Sequence, residues 1–163
     1  GSIRIFISEK GNYKKKKSVN KICRTEIKAR LNSKKVLLNF KKKVTKNRLD
    51  LTSLLIKLKK AKKNIVALSA PAKGMTLLNY AKLDSEFLDY ATEKSKIKQG
   101  LLAPGVNIPI YSDQKILKTK PDYALLLAWN FSKEIIGNNV KYLKAGGKFI
   151  IPIPKVKIIK KVK

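Results

Sequence analysis

Histidine is absent from all 163 residues, and cysteine occurs once, at Cys23. The first absence removes the commonest general base at neutral pH, together with Ser-His and Cys-His nucleophile pairs. A lone cysteine excludes an internal disulfide, and without histidine it cannot anchor a conventional zinc site. Long hydrophobic runs are missing too: none approaches the roughly 20 apolar residues that a membrane-spanning helix needs. No basic segment leads into an apolar core and a small-residue cleavage site, as a secretory leader would. The expectation is a cytoplasmic protein that touches no membrane and, alone, makes a poor enzyme.

Acidic residues are also few. Ten Asp and Glu stand against 39 Lys and Arg, for a net charge of +29. Up to Lys63 there are 22 basic and 3 acidic residues, so the excess is concentrated in the first part. Such a balance favours polyanions through counterion release. Arginine is scarce, however, and the aromatics mostly sit in apolar runs rather than between basic residues, where stacking platforms for bases would lie. Lysines scattered over solvated helix faces, in a composition that simply favours lysine, isoleucine and asparagine, are the preferred explanation.

What remains is enough for one core: 44% of the residues are hydrophobic. Residues 2–8, SIRIFIS, alternate apolar with polar and predict a half-buried strand ending near Gly11. Val19, Ile22, Cys23, Ile27 and Leu31 recur at helical spacing, with Ser18 placed to cap. A longer helix follows to about Lys62, carrying Leu37, Phe40, Val44, Leu51, Leu54, Leu55 and Leu58 on one face. From residue 64 the pattern changes to strands alternating with helices. Strands are expected at 64–70, 86–92, 107–111, 122–129 and 148–153. Helices are expected after Gly74, over 113–118 with Ser112 as cap, and from Asn130 or Ser132 to about Lys144, where Gly146 and Gly147 end the last one. The tail beyond Lys155 reads as basic and frayed.

This order predicts an α/β fold: a Rossmann-like parallel sheet flanked by helices, preceded by the N-terminal strand and the long helical arm. Two regions are implied, 1–63 for the strand and lysine-rich arm and 64–163 for the Rossmann-like part. Ligands of such sheets bind beyond the carboxyl ends of the strands. The candidate site therefore falls on the loops 70–74, 93–105 and 129–132. The first, APAKG, leads into a helix N-terminus, where unpaired N–H groups and the helix dipole attract anions. Lys73 adds a full charge, Gly74 permits close backbone approach, and Thr76 offers a hydroxyl. The motif matches neither GxGxxG nor GxxxxGK[ST], and a plain structural turn is the alternative.

Four segments in order, APAKGMTLLNY (70–80), KQGLLAPGVNIPI (98–110), PDYALLLAWN (121–130) and GGKFIIPIP (146–154), together resemble the C-terminal domain of S-adenosylmethionine-dependent C-methyltransferases acting on nucleotide-linked deoxysugars. The opening GSIRIFI resembles that family's strand just after its methyl-donor domain. The resemblance implies a three-part enzyme in which a zinc-binding segment and an S-adenosylmethionine domain lie upstream of a Rossmann-like domain that helps to hold the sugar nucleotide. It assigns no catalytic residue, no metal and no cofactor to these residues, and implies two partners: a nucleotide-linked sugar and the methyl-donor domain of the same polypeptide. Carried over by position, Lys73, Gly74 and Thr76 would face the diphosphate. Lys98, Gln99 and Gly100 would lie in a loop closing over nucleotide or sugar, Trp129 would wall the site, and Asn130 would contribute its amide. Glu93 stands where the family usually has Asp, a position from which an acid accepts ribose hydrogen bonds. Departures fall in the same loops: Leu68 and Ser69 replace an aromatic-glycine pair, Met75 an Asn, Asn107 a His, Leu101 a basic residue and Ala128 a Pro. A basic module for nucleic acid or another polyanion, on a diverged scaffold, is the alternative reading.

Overall fold

The computed structural model describes residues 3–161. They fall into two compact units that divide between Lys43 and Val44. In the first unit, residues 3–9 form no ladder, and Ile5, Phe6 and Ile7 are 75%, 83% and 92% exposed. The strand expected at 2–8 is therefore not formed over its described residues. Alternation makes a segment fit to be a strand, but a strand exists only where a partner satisfies its N–H and C=O groups. Helix α1 follows at Lys17–Lys28, with no buried residue. Its N-cap is Lys16, which makes no side-chain bond, so Ser18 lies inside the first turn and does not cap.

Helix α2, Lys34–Lys60, begins in the first unit and continues into the second. The Ser33 hydroxyl accepts the Val36 N–H at 3.3 Å, satisfying one of the donors left over at a helix start. Leu51, Leu55 and Leu58 recur on one face of its C-terminal half and are buried in the core of the second unit.

That second unit is built on a six-stranded sheet: β1 Ile65–Leu68, β2 Ala91–Glu93, β3 Ile110–Ser112, β4 Tyr123–Leu126, β5 Lys148–Ile151 and β6 Lys157–Ile159. The order across it is β3-β2-β1-β4-β5-β6. The first five strands run parallel, and β6 pairs antiparallel with β5. The Rossmann-like expectation holds, with two corrections. The sheet is mixed rather than wholly parallel, and the tail is a strand over Lys157–Ile159, where Ile158 packs on one face of the sheet and Ile159 on the other. Two adjacent isoleucines in a strand turn to opposite faces, so burial on both sides fixes a segment that its lysines make look unstructured.

Alternation divides the core. Ile65, Ala67, Ala91, Tyr123, Leu125 and Ile150 face α2 and α3, the latter spanning Ala72–Ala81. Val66, Leu68, Ala124, Leu126 and Phe149 face the other side, where Ile116 of α4 (Lys115–Thr119) and Tyr142 and Leu143 of α6 (Val140–Lys144) cover them. The central strands are buried on both faces, as parallel strands between helical layers must be. The single helix expected from 130 or 132 to 144 is two: α5, Ser132–Asn138, and α6, separated at Asn139. Asn139 is drawn off helical geometry (φ −117°, ψ 30°), and its amide donates to the Ile135 carbonyl at 2.8 Å. Neither Asn130 nor Ser132 caps α5, which has Phe131 at its N-cap and no side-chain bond there. The strand expected at 86–92 begins only at Ala91, because residues 84–88 form a turn closed by Asp84, whose carbonyl accepts the N–H groups of Phe87 and Leu88.

Candidate functional site

The chain runs β1 to β2 to β3 toward one edge of the sheet, then returns to place β4 on the other side of β1. Loops leaving the carboxyl ends of β1 and β4 therefore diverge to opposite faces, opening the crevice where ligands of doubly wound sheets bind. Ser69 leaves β1 with φ +70°, in the left-handed region, and Pro71 sits at the N-cap of α3. The Pro71 carbonyl accepts the N–H groups of Gly74 (2.8 Å) and Met75 (3.1 Å). Ala72 and Lys73 are then the first helical residues whose N–H groups have no intrahelical acceptor, so they form the positive mouth of a ten-residue helix.

The Lys73 ammonium lies 4.8 Å from the Trp129 ring centroid and 5.7 Å from that of Phe131. Both aromatics belong to a short 3-10 turn, Trp129–Phe131, that follows β4. Trp129 packs its inner side on the core, while Phe131 is 60% exposed. Among the described residues, Lys73 makes no ion pair. Its charge is held over two π-faces and stays available to an anion. Phe131 was not among the residues singled out from the sequence. Its only signal is the spacing WNF at the end of an apolar strand, which in a 3-10 turn brings both rings to one side.

Gly74 serves a different purpose from the one expected. It is buried, its N–H is already bonded, and a Cβ there would lie 2.6 Å from Leu127 Cβ. Its smallness lets α3 close on the end of β4, and a phosphate would have to displace the Pro71 carbonyl to reach its amide. Thr76 is exposed on α3, and its hydroxyl donates back to the Ala72 carbonyl at 3.2 Å.

Glu93 ends β2 beside β1. One carboxylate oxygen accepts the N–H groups of Lys94 (2.9 Å) and Ser95 (3.3 Å), and the other accepts that of Ala70 (3.1 Å). The Lys98 ammonium approaches the second oxygen at 3.5 Å and donates to the Ala70 carbonyl at 3.0 Å. Burial would raise this carboxyl, but the N–H groups of Ser95, Ala70 and Lys94 and the Lys98 charge outweigh it, so Glu93 titrates below the ordinary carboxylate range. Four partners occupy the four acceptor positions of the carboxylate. Glu93 thus clamps the β1 and β2 loops together, and a ribose would have to compete with the backbone for it.

Gln99 joins the same clamp, donating from its amide to the Glu93 carbonyl at 2.8 Å. Gly100 takes φ +84°, and its N–H donates to the Ile110 carbonyl at 2.9 Å. Lys98, Gln99 and Gly100 therefore fold their loop back on β2 and β3 rather than reaching over the crevice. Asn130 is exposed in the turn between the two aromatics. The structure brings the candidate residues together as two groups that meet on residues 70–74: Lys73, Trp129 and Phe131 at the β1–β4 crevice, and Glu93, Lys98 and Gln99 at β1–β2.

Among the described residues, no three His, Cys, Asp or Glu side chains converge as metal ligands. Among the described residues, no helix is long and apolar enough to cross a membrane.

Comparison with known proteins agrees with this architecture. Over 97 residues, which make up 60% of this chain, the sequence is 40% identical to the C-methyltransferase NovU of Streptomyces niveus. Those residues span only 23% of that protein's length. The match to the C-methyltransferase C-terminal domain extends over residues 1–154, nearly the whole sequence, and the chain belongs to that family.

Proposed function

We propose that this domain seats the diphosphate of a nucleotide-linked sugar in the β1–β4 crevice and presents the sugar to the methyl-transferring parts of a longer C-methyltransferase. The observation that carries the reading is the convergence, at the switch point of the sheet, of the α3 mouth and the Lys73 ammonium with two aromatic rings. Helix N-termini attract phosphate through unpaired N–H groups and the aligned peptide dipoles. Lys73 adds a charge whose position the rings restrict, so little of its side-chain freedom is left to lose on binding. Phe131, exposed at the rim, offers a face on which a base or sugar ring can lie.

Within this reading Lys73 binds the diphosphate, Trp129 and Phe131 orient the molecule, and Glu93, Lys98 and Gln99 hold the loop that carries the α3 mouth. Deprotonation of the sugar and delivery of the methyl group from S-adenosylmethionine are assigned to other parts of the polypeptide, as is the zinc ion. Isothermal titration of the domain with a thymidine diphosphate sugar tests the proposal. Binding that Lys73→Ala lowers at least tenfold is the expected result, since a charged hydrogen bond contributes about 1.5–3 kcal/mol. Unchanged affinity in Lys73→Ala, or no heat with any sugar nucleotide, refutes it.

A further inference from the structure

The first 43 residues carry fifteen Lys and Arg against two acids, Glu9 and Glu26, and the crevice site uses none of them. On α1 this charge is ordered. At 3.6 residues per turn, Lys17, Lys21, Arg24 and Lys28 fall within an arc of about 60° and span about 16 Å along the axis. All four are exposed, and with Asn20 and Thr25 they line one shallow open groove. None of the four lies within ion-pair distance of an acid among the described residues. A row of like charges on one helix face repels itself, so it weakens α1 unless a partner neutralises it.

We infer that this face of α1 docks along the phosphate backbone of a nucleic acid. Four cations at one-turn intervals meet a linear array of negative charge, which duplex DNA presents at one charge per roughly 1.7 Å of axis. A bilayer fits the helix poorly. The face opposite the cations carries Val19 and Ile22 but has Glu26 at its centre, so seating that face in a bilayer would press a carboxylate into the apolar layer. The contact is sequence-independent, because cations on phosphates carry no base information. The inference is independent of the sugar-nucleotide reading, since the two sites share no residue.

Its test is fluorescence anisotropy of the full 163-residue chain with a labelled 20-base-pair duplex, titrated between 50 and 200 mM salt. The combined variant Lys17→Gln, Lys21→Gln, Arg24→Gln, Lys28→Gln is expected to reduce the slope of log affinity against log salt by about 3.6, roughly 0.9 per phosphate contact. A second variant, Lys17→Arg, Lys21→Arg, Lys28→Arg, keeps the charge and is expected to keep the slope, separating lost charge from lost helix. A third, Lys82→Gln, Lys96→Gln, Lys118→Gln, Lys144→Gln, removes the same charge from exposed positions of the second unit and is expected to change the slope by less than about 1. Equal losses in the first and third variants would make binding a property of net charge and overturn the inference. It also falls if the unaltered chain does not bind the duplex at 50 mM salt, or if phosphatidylserine vesicles bind it where the duplex does not.

Discussion

Glu93→Gln is the sharpest probe of how the loops at the carboxyl edge are held. The side chain is 16% exposed and accepts three backbone N–H groups and one ammonium through two oxygens. Glutamine keeps one acceptor oxygen and turns the other into a donor. If the oxygen stays on the Lys94 and Ser95 side, the new NH2 faces the Ala70 N–H and the Lys98 ammonium, donor against donor. One buried N–H without a partner costs about 1–3 kcal/mol, and the remaining bonds lose the strength that a formal charge gives them. A destabilisation of about 2–3 kcal/mol at pH 7 follows. Acid removes the difference. The folded Glu93 carboxyl titrates below its unfolded counterpart, so its contribution is complete above the unfolded value, about 4.3, and is lost as pH falls through the lower folded one. Urea denaturation read by the fluorescence of Trp129, the sole tryptophan, should show a gap between the two proteins at pH 7 that closes toward pH 3. A gap below about 0.5 kcal/mol at pH 7, or one that does not shrink on acidification, would mean that this carboxylate is not the clamp described.

Two further substitutions test the geometry of the α3 mouth. Gly74→Ala gains about 1 kcal/mol of helix propensity, yet it should destabilise by about 1–3 kcal/mol overall, because the added Cβ meets Leu127 Cβ at 2.6 Å and neither atom can rotate away. Thermal melting at or above the parent's midpoint would contradict that close approach. Ser69→Gly should stabilise by roughly 0.5 kcal/mol, since the left-handed conformation costs a non-glycine residue about 1–2 kcal/mol and glycine's larger unfolded-state entropy returns part of that. A midpoint lower than the parent's in chemical denaturation would argue against strain at Ser69.

Much of the sheet was legible. NIVALSA, DYALLLAW and KFIIPI are short apolar runs bounded by turn residues, and each contains a central strand of the fold. The two glycines at 146 and 147 also stand where the pattern put them, whereas the helix expected after Gly74 begins at Ala72, so the last three residues of APAKG are its first turn. The errors share a physical origin. SIRIFIS has a strand's alternation but no ladder over its described residues, and VKIIKK reads as frayed but contains β6, Lys157–Ile159, which pairs with β5 and half-buries Ile158 and Ile159. In each case pairing, which no local window contains, decided the outcome.

The site divides in the same way. Residue order alone determined that a loop with a lysine would enter a helix after an apolar strand, because strand, turn and helix propensities are local. It also determined the excess of positive charge and the absence of imidazole chemistry. Tertiary structure decided what those residues do. Folding β4 beside β1 brought Phe131 and Trp129 to Lys73 from more than fifty positions away in the chain. It set Leu127 against Gly74, and it turned Glu93, Lys98 and Gln99 inward as a clamp. Contacts between residues distant in sequence are chosen by which apolar faces must be buried together, and that choice is made by the whole core at once.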